Sequence, residues 1–545
     1  MSDEGPRIVA TNGGLSVCYG KLWLYSRYTP ERSALRLAQM ATLQSATLYI
    51  VPSPCLCYGL DDLLERLPGD SALLCVELDP ALSRLCSDAR APFMRKERIA
   101  FIEAEEKSAM IDAALAAVRR LGRFRRVVKL RISQGEDMHA AAYHDLFALI
   151  EDELATYWRN KMALLRMSRL WTKNFFFNIG AMDWYRVLAA PLRSSQAVVV
   201  CGAGTSLDLA LPFLRRVGSA VHIMACDTAA GALASAGVRV DSVVCLEGQV
   251  YNVADFLPLE RKTCLSFLDL SAHPSSYRAL KGPFYLIASR WMESALHMRF
   301  AASGLPCLEV DPLGSVGVLA LSLARRLYAG PLFIAGLDFS YPQGRTHCQG
   351  SPNDIAERKR ESRCYKAEGR WRASFGEGTR RLSTGFVSDP ALNMYAALAK
   401  RELELIEEGR LAYDLRQGLG AVLPVRAVSF EDAQTLLASA GSCPMAAQPA
   451  PLRYTDDEER GHESMELRAK ARAFLAGELS LAARLRDALK DGTDVPGLRS
   501  LVAACDYMYG HFPDAERVQE LELDALKRLA AEASYWEGRL RAAMA

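Results

Sequence analysis

No stretch of this chain stays apolar for the roughly 18 residues that a bilayer-spanning helix needs, so no membrane span is expected. The N-terminus, Met1-Ser2-Asp3-Glu4-Gly5, begins acidic and polar, and no secretory apolar core follows it, so a cytoplasmic location is the expectation. Net charge is nearly absent: it is +2 over 545 residues, and whole-molecule electrostatics point neither to nucleic acid nor to an acidic partner. The local basic stretch Arg119, Arg120, Arg123, Arg125, Arg126, Lys129 and Arg131 reads as a solvated face. The 14 cysteines lack a disulfide grammar. They are scattered singly, mostly inside apolar runs, as buried free thiols of a reducing compartment would be. Cys55-Leu56-Cys57 is the one close pair, and no second pair stands at zinc-site spacing, so no structural zinc site is expected. No repeat of solenoid period is present.

What is there is an ordinary globular composition, 50% hydrophobic and 24% charged, in a chain too long for a single core. Residues 1–150 alternate strand-like runs (46–51, 72–76, 126–132) with helical patterns, an α/β unit. Within it Leu48–Val51 leads through Pro52-Ser53-Pro54-Cys55-Leu56-Cys57 to a short helix and then to Cys75-Val76-Glu77-Leu78-Asp79. That resembles a nucleotide-fold opening whose phosphate-approach glycines are missing, and it reads as a scaffold or partner-binding domain. Residues 151–180 are helical, and their aromatics Trp158, Trp171 and Phe175–Phe177 suggest interdomain packing. They lead into a central α/β domain, residues 151–440, with strands at 197–201, 220–226, 240–246 and 332–337 and a mainly parallel sheet. Residues 441–460, with Pro444, Pro449, Pro451 and an acidic run, read as a linker, and residues 461–545 as a C-terminal helical module.

The chemistry concentrates in the central domain. Ala197–Val200 delivers Cys201-Gly202-Ala203-Gly204-Thr205-Ser206 to a strand end. Gly202 and Gly204 let the backbone turn sharply and bring its N–H groups to an anion, and Ser206 is expected to cap the next helix. Leu207 stands where a dinucleotide loop has its third glycine, which disfavours NAD and favours a mononucleotide or nucleotide-sugar. Asp227 ends the second strand, where an acid commonly meets a ribose hydroxyl. Asp241 and Glu247 bracket the third strand, and Glu247 is placed to hold a sugar hydroxyl or a metal, or neither. Gly314 and Ser315 precede an apolar helix as a second anion cradle or as a simple cap. Asp338 ends a buried strand, followed by Tyr341, Arg345 and His347. His347 is suited to deprotonate a hydroxyl acceptor, with Tyr341 and Arg345 stabilising a departing phosphate.

Together with Ala225-Cys226-Asp227-Thr228-Ala229, Ala236-Gly237-Val238-Arg239-Val240-Asp241 and the N-terminal Leu24-Tyr25-Ser26-Arg27-Tyr28-Thr29-Pro30, these motifs resemble the motility accessory factor (Maf) family. Its members are flagellin-modifying glycosyltransferases that share a domain with hydroxymethylpterin diphosphokinases (MptE-like). The match spans most of residues 20–430. It implies a Rossmann-like, sialyltransferase-like central domain and an inverting transfer of a nonulosonic acid, of the pseudaminic or legionaminic type, from its CMP conjugate to Ser or Thr of flagellin. The CMP-sugar is then the donor and flagellin the partner, with no required cofactor, and the transfer serves flagellar assembly and motility. Carried over by position, Gly202, Gly204, Thr205 and Ser206 form the nucleotide loop with Asp227 and Glu247 nearby. Gly314 and Ser315 form a second donor-contacting turn, and His347 is the base. The family usually has proline where Thr205 stands and aspartate where Glu247 stands. Two other readings stay open: an ATP- and Mg-dependent pterin diphosphokinase using Asp227, Asp241, Glu247 and Asp338, and a non-enzymatic flagellin-binding assembly factor.

Overall fold

A computed structural model describes residues 5–103, 107–188, 193–259, 264–291, 294–366, 371, 374–376, 378–440, 457–491 and 497–545. Residues 441–456, most of the expected linker, lie outside that set. The chain divides into two compact units, Met1–Ala163 and Leu164–Ala545, and the division falls within one 42-residue helix, Ala140–Ala181.

The first unit opens with an antiparallel sheet the sequence pattern did not announce: β1 (Pro6–Thr11), β2 (Gly14–Tyr19) and β3 (Leu22–Trp23). It is followed by β4 (Thr47–Pro52), β5 (Ala72–Glu77), β6 (Ile99–Glu103) and β7 (Arg126–Lys129), a parallel sheet in the order β6-β5-β4-β7. Every residue of β4 and β5 is buried, because helices cover both faces. Leu48, Ile50, Leu74 and Val76 pack on one face with Ala114, Val118 and Leu146, and Tyr49, Val51, Leu73 and Cys75 on the other with Leu60 and Leu63. The basic stretch lies partly on its own neighbours: Arg119 pairs with Glu153 at 2.7 Å, and Arg123 and Arg125 sit over Tyr157 and Trp158.

In an open parallel sheet a ligand enters at the carboxyl ends where strand order reverses, here beside β4. The N-terminal sheet and its continuation close that edge. Tyr25 Oη donates to the Pro54 carbonyl at 2.6 Å, Tyr58 Oη to that of Leu15 at 3.0 Å, and the Gln134 N–H to that of Leu24 at 2.8 Å. Glu77, the ribose-type acid of a nucleotide fold, instead accepts from Ser53 Oγ at 2.8 Å. Chain packing thus fills the place where a nucleotide would lie.

The second unit holds β8 (Val198–Cys201), β9 (His222–Cys226), β10 (Ser242–Cys245), β11 (Leu265–Asp269), β12 (Phe284–Ser289), β13 (Leu308–Val310) and β14 (Leu332–Ala335). A two-residue pair, β15 (Arg380–Arg381) and β16 (Val387–Ser388), stands apart from β17 (Ala412–Asp414) and β18 (Arg426–Ala427). The large sheet has nine strands, β13-β12-β11-β10-β9-β8-β14-β17-β18, and every pairing is parallel. The chain builds outward from β8 to β13, then returns through the helix Val316–Leu327 to place β14 on the other side of β8. The reversal lies between β8 and β14.

The C-terminal helices Asp457–Asp491 and Leu523–Met544 share one apolar core with this sheet. Phe176 stands edge-on to Tyr507 and Trp536, at 5.4 and 5.9 Å, so this aromatic packs within the second unit, whereas Trp158 packs within the first. On the same long helix two buried amides one turn apart hold the loops that follow β10 and β11. Asn174 Nδ2 donates to the Gly248 and Ser271 carbonyls, and Asn178 Nδ2 to those of Leu270 and Ala272, each at 2.9 Å. Asn178→Ala removes the donor from two buried carbonyls and should cost about 1–3 kcal/mol of stability in urea titration. A cost within error of zero would mean that water replaces the amide.

Every described cysteine is a free thiol, and all but Cys307 and Cys364 are buried. Among the described residues no helix is long and apolar enough to cross a membrane.

Candidate functional site

The run of four buried residues in β8 ends at Gly202, and the run in β14 ends at Gly336. The two loops meet edge to edge: the Gly202 N–H donates to the Ala335 carbonyl at 2.9 Å and the Gly204 N–H to that of Gly336 at 2.7 Å. A Cβ at Gly202 would lie 2.5 Å from the Gly336 oxygen, and one at Gly204 2.5 Å from Asp338 Cγ. The glycines therefore let two strand-end loops pack, in addition to any approach to an anion.

Asp338 occupies the start of the helix Leu207–Val217. It is 2% exposed, its Oδ2 accepts the Ser206 N–H at 2.9 Å and Thr205 Oγ1 at 3.4 Å, and its Oδ1 accepts Ser206 Oγ. Ser206 thus does not cap the helix with its side chain, because its hydroxyl is donated to Asp338. Burial raises the Asp338 pKa, against the lowering by Ser206, the Arg416 charge and Thr205. Thr205 supplies a hydroxyl to this carboxylate that a proline could not. Phe339, next in the loop, sits at φ +48°, a conformation uncommon for a bulky residue and one that strand-end loops at sites tend to store. The loop is braced from β17, where Arg416, 1% exposed, grips Asp414 with two nitrogens and donates to the Leu337 carbonyl at 3.0 Å.

The His347 loop is fastened over the glycine loop. The Cys348 N–H donates to the Ala203 carbonyl at 2.8 Å, the Gln349 N–H to Asp208 Oδ1 at 2.9 Å, and Arg345 pairs with Asp208 Oδ2. Arg345 Nε is buried with no hydrogen-bond partner among the described residues. His347 is half-buried, with Thr346 Oγ1 2.9 Å from Nδ1 and the Asn353 amide nitrogen 3.3 Å from Nε2. An amide nitrogen only donates, so in this pairing Nε2 presents its lone pair. Tyr341 is buried and exchanges backbone hydrogen bonds with Val387 at 2.9 and 2.8 Å.

The Gly314–Ser315 turn opens the helix Val316–Leu327, and Ser315 makes no side-chain cap. A Cβ on Gly317 would lie 2.7 Å from Leu337 Cδ2 and 3.9 Å from Cys226 Sγ, so this helix N-terminus stands at the carboxyl ends of β9 and β14. Asp227 follows Cys226. Its Oδ2 accepts from Asn252 Nδ2 at 2.8 Å, and the same amide reaches Asp255 Oδ2 at 2.9 Å. Glu247 is exposed, and its Oε1 accepts the Gln249 N–H at 2.7 Å. Asp241 lies at the opposite end of β10, paired with Arg239 at 2.9 Å.

Burial raises Asp227 to about 6, against its hydrogen bonds from Thr228 and Asn252, and burial with the Asp227 charge raises Asp255 to about 7. A carboxyl whose folded pKa lies above its unfolded value holds its proton longer when folded, so native stability falls as pH rises through that interval. The interval here runs from about pH 4 to about 7. Asp255→Asn should therefore raise the melting temperature at pH 8 and change it little at pH 4, as calorimetry would read. A gain of equal size at both pH values would rule out the charge as its cause.

The structure brings the glycine loop, Asp338, Arg345, His347, Gly314–Ser315 and Asp227 to one edge of the sheet, and sets Asp241 apart from them. Sequence reasoning did not reach Asp208, Asn252, Asn353 or Arg416. An acid in a helix's first turn or an asparagine in a loop carries no signal until its partner is known. Asn174 and Asn178, also missed, do carry a signal: they stand four apart beside Phe175 and Ile179, a polar pair on an apolar face.

Residues 172–344 match the family described as 6-hydroxymethylpterin diphosphokinase MptE-like. A protein of Treponema pallidum (strain Nichols), described as uncharacterized, is 29% identical over 558 residues, covering 97% of this chain and 94% of its own length. The solved structure of the MAf glycosyltransferase from Magnetospirillum magneticum AMB-1 superposes on 100% of this chain and 91% of its own, with a TM-score of 0.56 at 11% identity. That likeness is one of fold. Residues 172–344 thus match an MptE-like domain, in a chain whose fold resembles that of the Maf glycosyltransferase over its full length.

Proposed function

We propose that this protein is a glycosyltransferase that moves a nonulosonic acid from a CMP-sugar to a serine or threonine hydroxyl of flagellin, with inversion. The observation that carries this reading is the fastening of the His347 loop onto the glycine loop at the point of strand reversal, where open α/β sheets take their ligands. The uncapped N-terminus of Val316–Leu327 faces the same edge and suits a phosphate. Arg345 Nε, without a hydrogen-bond partner among the described residues, is a buried donor that a phosphate oxygen would satisfy. In the reaction the acceptor oxygen bonds to the anomeric carbon and its proton passes to His347, whose Nε2 lone pair becomes available when the acceptor hydroxyl displaces the Asn353 amide. The bond from that carbon to the CMP phosphate breaks, and its electron pair leaves on the phosphate oxygen. Tyr341 borders the loop, and Asp338 acts by holding Ser206 and Thr205 in place.

A diphosphokinase needs carboxylates converging on Mg and phosphates. The MptE-like match favours that second reading, but Asp241 stands at the far end of β10 and Asp338 is committed to the glycine loop. Thermal stabilisation separates the readings: CMP and CMP-nonulosonates should raise the melting temperature and Mg-ATP should not. Intact-mass analysis of flagellin with and without the protein tests transfer itself, and an unchanged mass would count against it.

A further inference from the structure

We propose that Asp208 is a positioning residue for His347, holding both ends of the loop that carries it; its catalytic part rests on the transferase reading above. An acid at the second position of the helix Leu207–Val217 would ordinarily need no explanation beyond the helix dipole. Here each of its oxygens has a separate task. Oδ1 takes the Gln349 N–H at 2.9 Å, and Oδ2 takes the Arg345 guanidinium. Thr346 and His347 lie between those anchors, and the Cys348 N–H to Ala203 adds a third tie at 2.8 Å. The Asp208 side chain is 21% exposed and that of Arg345 36%, so the clamp is partly sheltered from water. With the backbone fixed at three points, the imidazole rotates only about its own side-chain bonds, and Thr346 and Asn353 meet its two nitrogens. Asp208 also fixes one guanidinium nitrogen, while Arg345 Nε has no hydrogen-bond partner among the described residues.

The clamp separates into two parts by substitution. Asp208→Asn keeps an acceptor for the Gln349 N–H but gives up the charge that holds Arg345, whereas Asp208→Ala loses both. Hydrogen exchange on the full-length protein reads the clamp without any activity. In Asp208→Ala, peptides covering 345–350 should exchange about tenfold faster, the equivalent of one lost hydrogen bond, while the Leu207–Val217 helix keeps its protection. In the transfer assay Asp208→Ala should lose about 10²-fold in kcat with acceptor KM little changed, and Asp208→Asn less. Unchanged exchange at 345–350 would overturn the clamp. Faster exchange with undiminished kcat would overturn the positioning role. If the wild-type protein transfers no sugar, the transferase reading fails, and the exchange result still decides whether Asp208 holds the loop.

Discussion

His347→Ala is expected to lower transfer by about 10²–10⁴-fold while leaving donor binding nearly intact. The size follows from removing the loop's imidazole, the side-chain type suited to general-base catalysis. Donor binding should survive because His347 is held by Thr346 beside it and by Asn353 of the following helix, Pro352–Arg360, whereas the glycine loop rests on Gly336 and Asp338. The two measurements are transfer by intact mass and thermal stabilisation by CMP. Retention of full activity would remove His347 as the base; loss of CMP stabilisation along with activity would mean that His347 itself forms part of the nucleotide pocket.

The largest stability effect is expected at Gly336→Ala. Gly336 has φ +65°, in the left-handed region, and a Cβ there would stand 2.1 Å from the Gly202 oxygen and 2.9 Å from Leu207 Cβ. Both neighbours belong to β8's own exit, so relief requires moving the strand end that carries the glycine loop. Backbone strain and overpacking each cost about 1–3 kcal/mol, and together should remove about 3–5 kcal/mol, a large part of a protein's total stability. A urea titration midpoint would read the loss. A variant as stable as the parent would show that the β8 and β14 loops separate more freely than their contacts imply.

Both predictions depend on distinguishing what a residue type promises from what its neighbours permit. The opening glycine loop was legible because apolar runs followed by Gly-x-Gly have few other uses, and Leu207 already argued against NAD. The structure gives those glycines a further role, since the first limit on Gly202 and Gly204 is the β14 loop rather than a ligand. Asp338 was legible as an acid at a buried strand end. That its carboxylate is spent on Ser206 and Thr205, 132 and 133 positions away in the chain, depends on β14 lying beside β8.

Local pattern by itself determined the alternation of strands and helices, the parallel α/β class and the helical character of the C-terminal segment. Each follows from periodicity over a few residues, where the side chain's own face is the information. Pairing over long separations determined the rest. It set the order of nine strands, the closure of the first unit's sheet edge by an N-terminal antiparallel sheet, and the seating of the C-terminal helices in the same core as the large sheet. It also decided that Asp208 and Arg345 would meet, because an ion pair between residues 137 positions apart in the chain leaves no periodic trace in either segment.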